Sequence, residues 1–336
     1  MSKIQEHRGT MRLVAAFFAV TTGLILMFFF SVNTGSIRLT FDQLFGGLFL
    51  KYDPEVASVY DLRFPRILIS MMAGAGLACA GALFQAVLKN PLADPGILGI
   101  SNGAGFAAVA AAAFLPHYYF FVPLFSFAGG LLTFVLVYTL AWKGKASPLR
   151  IILMGVAMQA LFSGLSGGIN SMSGGNMSGV ASIVEGTITM KTWNDVKVLA
   201  GFMIPGLLLT LFGARWCNLM GLEDKTIRGL GIQVDRVRLI LSLLAVFLVG
   251  GCTAIVGSVS FLGLLVPHIG RIFVGSEHRR LLPFSMLLGA FLFLLADTLG
   301  RTIVYPYEIN AGVVLSVVGG IAFVILLRKG GGIYGK

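Results

Sequence analysis

Long uncharged apolar runs, separated by short polar stretches, set the plan of this chain. A helix that crosses the hydrocarbon of a bilayer needs about 20 apolar residues, with about 17–25 the usual range. Runs of that kind predict helices over roughly residues 12–32, 67–88, 96–115, 118–142, 150–169, 196–215, 239–257, 258–273, 281–300 and 309–327. The first follows a basic stretch, and its apolar part, 13–32, is long for a secretion-signal core. Ser31-Val32-Asn33 is also a poor cleavage site, so the run reads as a retained helix.

One stretch is ambiguous. The 32 residues between Arg238 and Arg271 carry no charge, enough for one overlong helix or two short ones. The excess of Lys and Arg on the cytoplasmic side of membrane proteins arbitrates. With two helices there are ten crossings, and the side of the N-terminus holds 18 of the 25 basic residues. With one helix everything after Arg238 flips, and the division becomes 13 against 12. The pattern therefore predicts ten membrane helices with both termini cytoplasmic. Gly257, Gly263 and Pro267 mark where the chain would break. Ten helices also allow an inverted five-helix repeat.

The predicted outer segments are 33–66, 116–117, 170–195, a turn near 257, and 301–308. A small amphipathic helix fits "FDQLFGGLFL" (41–50). The Gly/Ser-rich 163–182 suits a flexible loop or a re-entrant helix lining a cavity.

Against this apolar background, residues 221–238, "GLEDKTIRGLGIQVDRVR", stand out on the predicted cytoplasmic side. They carry seven charges, at Glu223, Asp224, Lys225, Arg228, Asp235, Arg236 and Arg238. Leu222, Thr226, Ile227 and Leu230 fall on one face of a short helix. The acidic pair lies at its N-terminal end and Arg228 near its C-terminal end, as the helix dipole prefers; Gly229 and Gly231 would end it. A lipid-surface anchor needs only basic charge. An apolar face rimmed by both signs and closed by glycines suits a protein docking element.

Composition narrows the class. The chain is 57% hydrophobic and 12% charged, against about 25% charged for a soluble domain. Its 44 glycines suit close helix packing in lipid. The net charge of +11 is a topology signal; no basic patch is long enough for nucleic acid. Cys79, Cys217 and Cys252 are far apart, without the spacing of a disulfide framework or a zinc site.

Few motifs suggest chemistry. "GGGIYGK" (330–336) matches a phosphate-loop pattern, but a membrane helix precedes it and no Ser or Thr follows Lys336. ATP would therefore have to be bound by another subunit. Met154 and Met158 could resemble a copper pair but suit core gap-filling better. His268 has no second ligand at metal spacing, and no catalytic triad is visible. Asp297 is the best candidate for an intramembrane proton relay, but Arg301 one turn on can neutralise it.

Five segments, in order, carry a family resemblance. They are "RFPR" (63–66), "GALFQAVLKNPLADPGILGISNGAG" (81–105), "GLGIQVDRVR" (229–238), "GSVSFLGLLVPHIGRIFVGSEHRRLLP" (257–283) and "ADTLGR" (296–301). Through them the chain resembles, nearly end to end, the FecCD-type permeases, membrane subunits of ATP-driven importers for ferric siderophores, haem and vitamin B12. The resemblance implies an all-α type II ABC importer permease fold forming one domain over 1–336. It implies a second permease chain, either a related partner or a second copy. It also implies a cytoplasmic ABC ATPase dimer that binds ATP and Mg, and an extracytoplasmic siderophore-binding lipoprotein. This chain itself would bind no cofactor.

Carried over by position, ATPase coupling falls on Gly221, Leu222, Glu223, Ile227, Arg228, Leu230 and Gly231. Binding-protein docking falls on Arg63, Arg66 and Arg301, all on the predicted outer side. Family-motif or pathway positions are Gln85, Asn90, Pro91, Asp94, Pro95 and Gly99, then Gly263, Pro267, His268, Arg271 and Asp297. The chain departs from the family pattern at Ile183, often Trp, and at Asn310, usually Pro; both would reshape the outer pathway. The expected cargo is a ferric siderophore of the catecholate type, with vitamin B12 or haem as alternatives. The Gly-rich third and fifth spans are the expected pathway walls. An ion-coupled secondary transporter is the competing class.

Overall fold

The computed structural model describes residues 3–34, 40, 43, 53–96, 98–143, 145–146, 148–172 and 188–330. A helix lies at each predicted apolar run: α1 (Lys3–Asn33), α3 (Phe64–Val87), α4 (Ile100–Phe114), α5 (Val122–Ala141), α6 (Pro148–Met172), α7 (Trp193–Met220), α9 (Val234–Val256), α10 (Leu262–Val274), α11 (His278–Thr302) and α12 (Ala311–Gly330). Two short helices join them, α2 (Pro54–Leu62) before α3 and α8 (Asp224–Gly229) before α9. A two-residue antiparallel ribbon, Trp142–Lys143 with Lys145–Ala146, links α5 to α6.

Local chemistry sets several boundaries. The Asp53 carboxylate accepts from the backbone N–H groups of Glu55 and Val56, and Pro54 occupies the first turn, so α2 starts there. A capping box between Thr192 and Asp195 opens α7. The chain turns between α9 and α10 through residues 257–261, with Gly257 at φ +73° and Phe261 at φ +69°. Of the three predicted break points, only Gly257 serves as one. Gly263 and Pro267 lie inside α10, where the proline removes one ladder N–H and the Gly263 carbonyl four residues earlier accepts from Gln85 instead. Apart from Gln43, the predicted helix over 41–50 lies outside the described residues, as do Ile183 and the phosphate-loop-like tail from 331.

Among the described residues, six stretches are long and apolar enough to cross a membrane by length and composition: Thr10–Asn33, Pro54–Val87, Val122–Leu140, Trp193–Met220, Val234–Val256 and His278–Thr302. Ile100–Phe114, Leu262–Val274 and Ala311–Ile325 are shorter apolar helices.

Helix α3 is the centre of the bundle, packed against α7, α9, α10 and α11. Its run "AGAGLACAGA" is almost wholly buried. Between lipid-exposed helices there is little hydrophobic driving force, so association depends on close van der Waals packing, and small residues permit it. At two crossings the approach leaves no room for a Cβ. One added at Gly74 would collide with the Gly289 carbonyl of α11, and one at Gly81 with the Gly263 carbonyl of α10. Around this shaft, α4 packs on α5 and α6, and α1 on α11.

Candidate functional site

The charged island folds as expected in outline. Helix α8 places Asp224 in its first turn and Arg228 in its last, and Gly231, at φ +76°, turns the chain towards α9. The predicted apolar face is divided. Ile227 is wholly buried and anchors the helix, while Leu222 and Leu230 are 42% and 60% exposed. Thr226 and Arg228 also face outward. An exposed guanidinium on a one-and-a-half-turn helix is therefore flanked by an exposed leucine at either end.

An ion cluster fixes this helix to the bundle. The Asp224 carboxylate takes Lys89 Nζ at 2.8 Å and Arg238 Nη2 at 3.3 Å. Lys89 also donates to the Leu222 carbonyl. The hydrogen bond from Lys89 holds the Asp224 carboxyl below its usual range, partial burial opposes the shift, and the Arg238 charge assists. Neither Lys89 nor Asp224 was singled out as a site residue from sequence. The only available signal was their place in segments already marked for other reasons.

The motif residues after α3 form a rigid corner beside this cluster. Gln85 donates to the Gly263 carbonyl at 3.1 Å and accepts from Arg271 at 2.6 Å, so α3 and α10 are cross-linked through one side chain. The Asn90 side chain accepts from Leu92 N, and the buried Asp94 carboxylate from Gly96 N. Pro91 lies in this turn, and Pro95 lies so close to Gly263 that a Cβ there would be 3.0 Å from the proline ring. Gly99, at φ +73°, starts α4. Pro267 is buried in α10 and His268 half-buried. The structure thus brings Gln85, Asp94, Pro95, Gly263 and Arg271 together as a junction between helices, and Asp297 lies elsewhere.

Asp297 is at the other end of α3, with the predicted docking arginines. Arg66 Nη2 meets Asp297 Oδ1 at 2.8 Å and Arg66 Nη1 meets Glu308 Oε2 at 2.9 Å. Arg301 Nε lies 3.4 Å from Asp297 Oδ2, and its Nη2 donates to Ser31 at 2.6 Å. Thr189 donates to Glu308 at 2.7 Å. Burial raises the Glu308 carboxyl, but the Thr189 hydrogen bond and the Arg66 charge outweigh it and hold it below its usual range. Two cations and two anions are balanced here, as the Asp297–Arg301 spacing suggested.

This arrangement differs from the docking expectation. The side chains of Arg66 and Arg301 are only 10% and 9% exposed, because both turn inward onto the buried Asp297, with Arg66 also reaching Glu308. Arg63 is half-buried and donates to the Val32 carbonyl at 2.6 Å. From Arg66 to Gln85 along α3 is about 28 Å at 1.5 Å per residue, close to the hydrocarbon thickness of a bilayer. The two charged clusters therefore lie at opposite ends of a membrane-length helix.

Between the ends, α4 and α6 carry a polar seam. Gln159, Ser163, Ser166 and Asn170 fall at i, i+4, i+7 and i+11, one face of α6. Asn102 of α4 donates to Ser163 at 2.8 Å and accepts from Ser258 at 3.4 Å. Gly164, Gly167 and Gly168 on the same helix have open space beside them. Met154 and Met158 pack against the core.

These features define a multi-pass helical membrane protein with a charged cluster at each end of its central helix. A model of the FecCD transport family matches residues 23–329, and the chain belongs to that family. It is a permease of the metal-chelate class of ABC importers. It is 42% identical over 304 residues to the "Probable heme-iron transport system permease protein IsdF" of Staphylococcus aureus strain bovine RF122 / ET3-1, covering 90% of this chain and 92% of that protein. The same protein of strain Newman matches with the same identity and coverage. Among solved structures, an inward-facing conformation of a metal-chelate type ABC transporter superposes with TM-score 0.78 at 27% identity, covering 93% of this chain and 98% of that one. PsaBC from Streptococcus pneumoniae, in complex with Fab, matches with TM-score 0.56 at 17% identity over 85% and 95%, a likeness of fold.

Proposed function

We propose that the chain is a ten-span permease subunit, with both termini cytoplasmic, of an importer in a bacterial cytoplasmic membrane. It passes iron already enclosed in an organic ligand. The observation that carries this reading is the charged island. Helix α8 is held to the bundle by Ile227 and Asp224, yet leaves Leu222, Arg228 and Leu230 exposed. An apolar stripe with charge at its rim suits a protein interface, and the family's energy source is a pair of cytoplasmic ATPases that bind ATP and Mg. A second permease chain, related or identical, completes the pathway, with the polar seam of α4 and α6 as its wall. A binding lipoprotein delivers cargo at the end that carries Arg63.

The resemblance that implied a ferric siderophore rests on motifs shared across the family. The specific observation that separates the cargoes is the 42% identity to haem-iron permeases, and it favours haem. Cells lacking the chain, complemented or not, are given radiolabelled iron as haem, as a catecholate siderophore complex, or as free ferric citrate. Complementation should restore one chelate and should require ATP. Uptake that persists without ATP and collapses with the proton gradient would instead establish a secondary transporter.

A further inference from the structure

Two adjoining grooves open beside the island, on the face formed by α7, α9 and the start of α11. One, of about 450 Å³, is lined by Trp216, Ile232, Gln233 and Arg236 among others. The second, of about 670 Å³, shares Trp216 and Ile232 and adds Arg215 and Arg279. Arg215, Arg236 and Arg279 are exposed. Among the described residues none of the three has an acidic partner, while nearby Asp235 pairs with Arg228 and Arg238, and Glu277 with Arg280. Apolar surface continues from the grooves along the helices, through Leu211 and Phe212 of α7 and Ile240 of α9, all exposed.

We infer that this face is a binding site for an anionic phospholipid of the inner leaflet. The inference rests on the proposed sidedness, which puts the island in the cytoplasm. The charge pattern selects the occupant. Three guanidinium groups without carboxylates call for an anion, and guanidinium geometry matches a phosphate. The anion must also carry hydrocarbon, because the grooves run directly into exposed Phe212 and Ile240 on membrane-length helices. Trp216 stands at the boundary between the two, the position where indole rings concentrate in membrane proteins. Basic pockets between helices on the cytoplasmic side are a recurring form of headgroup site. The site adjoins Gly231 and Gln233, in the link between α8 and α9, so an occupied headgroup would brace the segment that carries the docking helix.

The test uses the full chain in vesicles of phosphatidylcholine with brominated phosphatidylglycerol, or the reverse labelling. Bromine quenches nearby indole, and the Trp216→Phe protein isolates the signal of Trp216. Wild type should prefer phosphatidylglycerol at Trp216. Each arginine should be worth about fivefold in that preference, so the triple variant R215Q/R236Q/R279Q should lose about two orders of magnitude. The triple Lys variant should keep most of it, which also controls for folding. A control triple, R12Q/R150Q/R328Q, removes equal charge elsewhere at exposed positions and should keep the preference. Inorganic phosphate should not displace the lipid.

Equal quenching by both lipids overturns the proposal, as does equal loss in the control triple. Displacement by inorganic phosphate would make this a free-anion site. Protection of Trp216 from both lipids by added ATPase subunits would assign the face to that partner. An Arg279→Cys protein labelled by an impermeant maleimide from outside intact cells would overturn the sidedness alone, whatever the lipid preference.

Discussion

The balanced cluster at the Arg66 end of α3 yields a quantitative prediction. Asp297 is wholly buried and faces two guanidinium groups, Arg66 at 2.8 Å and Arg301 at 3.4 Å. Asp297→Asn keeps the shape and removes the charge, leaving two cations against the single carboxylate of Glu308. At an effective dielectric near 20, unit charges 4 Å apart attract by about 4 kcal/mol. Desolvation already offsets much of that in the native state. Breaking such a pair from one side nevertheless costs about 3–5 kcal/mol, because the remaining charge stays buried. Arg66→Gln should be milder, since Asp297 retains Arg301 and Glu308 retains Thr189, and should cost about 1–3 kcal/mol. The double variant R66Q/D297N restores one cation to one anion, so its loss should fall short of the sum by at least about 1 kcal/mol. Reversible unfolding in mixed micelles with increasing dodecyl sulfate reads all four proteins. An Asp297→Asn protein within about 0.5 kcal/mol of wild type would refute the reasoning, as would strict additivity.

The other predictions follow from the same geometry. Arg228→Glu or Leu230→Trp should leave a complex that assembles and hydrolyses ATP but loses most uptake; undiminished transport would remove α8 from the coupling role. Asp224 contributes through a carboxyl held below its usual value, so its contribution is present above the unfolded value of about 3.9 and is lost as pH falls through the lowered folded value. Because the side chain is 38% exposed, the contribution is about 0–1 kcal/mol, and Asp224→Asn should flatten the acid limb of a stability–pH curve. Gly81→Ala should force α3 from α10 and cost about 1–3 kcal/mol, read by the same micelle titration. Arg63→Glu should weaken stimulation of ATPase activity by loaded binding protein more than Arg66→Gln does; the reverse order would show that the buried cluster opens during docking.

Much of the helical plan was legible because apolar runs separated by polar breaks leave few alternatives. The boundaries were less so. Gly263 and Pro267 read as a break in one dimension, whereas Gly263 is required by the approach of Gly81 from a helix about 180 residues earlier. At the island, Leu222, Ile227 and Leu230 were legible as one face. Which of them would be buried depended on where α9 and the Lys89 corner come to rest. The docking arginines show the same limit more sharply. A charge count can place Arg66 and Arg301 at an outer end, and the i, i+4 spacing pairs Arg301 with Asp297, but only the fold shows that Glu308 and Asp297 take up the charge of Arg66. The partners lie 242 and 231 positions from Arg66, beyond any local pattern.

Helix α3 joins these observations. Its first turn holds Arg66 in the cluster with α11. Its last turn holds Gln85 against α10, and Lys89 just beyond it reaches Asp224 of α8. Almost every residue between is buried against four neighbours, two of them at glycine distance, so the helix cannot bend locally without opening the core. A displacement at either cluster should therefore be carried to the other as a movement of the whole helix. Under the proposed sidedness, such a movement would link two events on opposite sides of a membrane, arrival of cargo and hydrolysis of ATP. It would require no charged pathway between them, only a shaft whose ends are each tied by ion pairs, to α11 at one end and to α8 at the other.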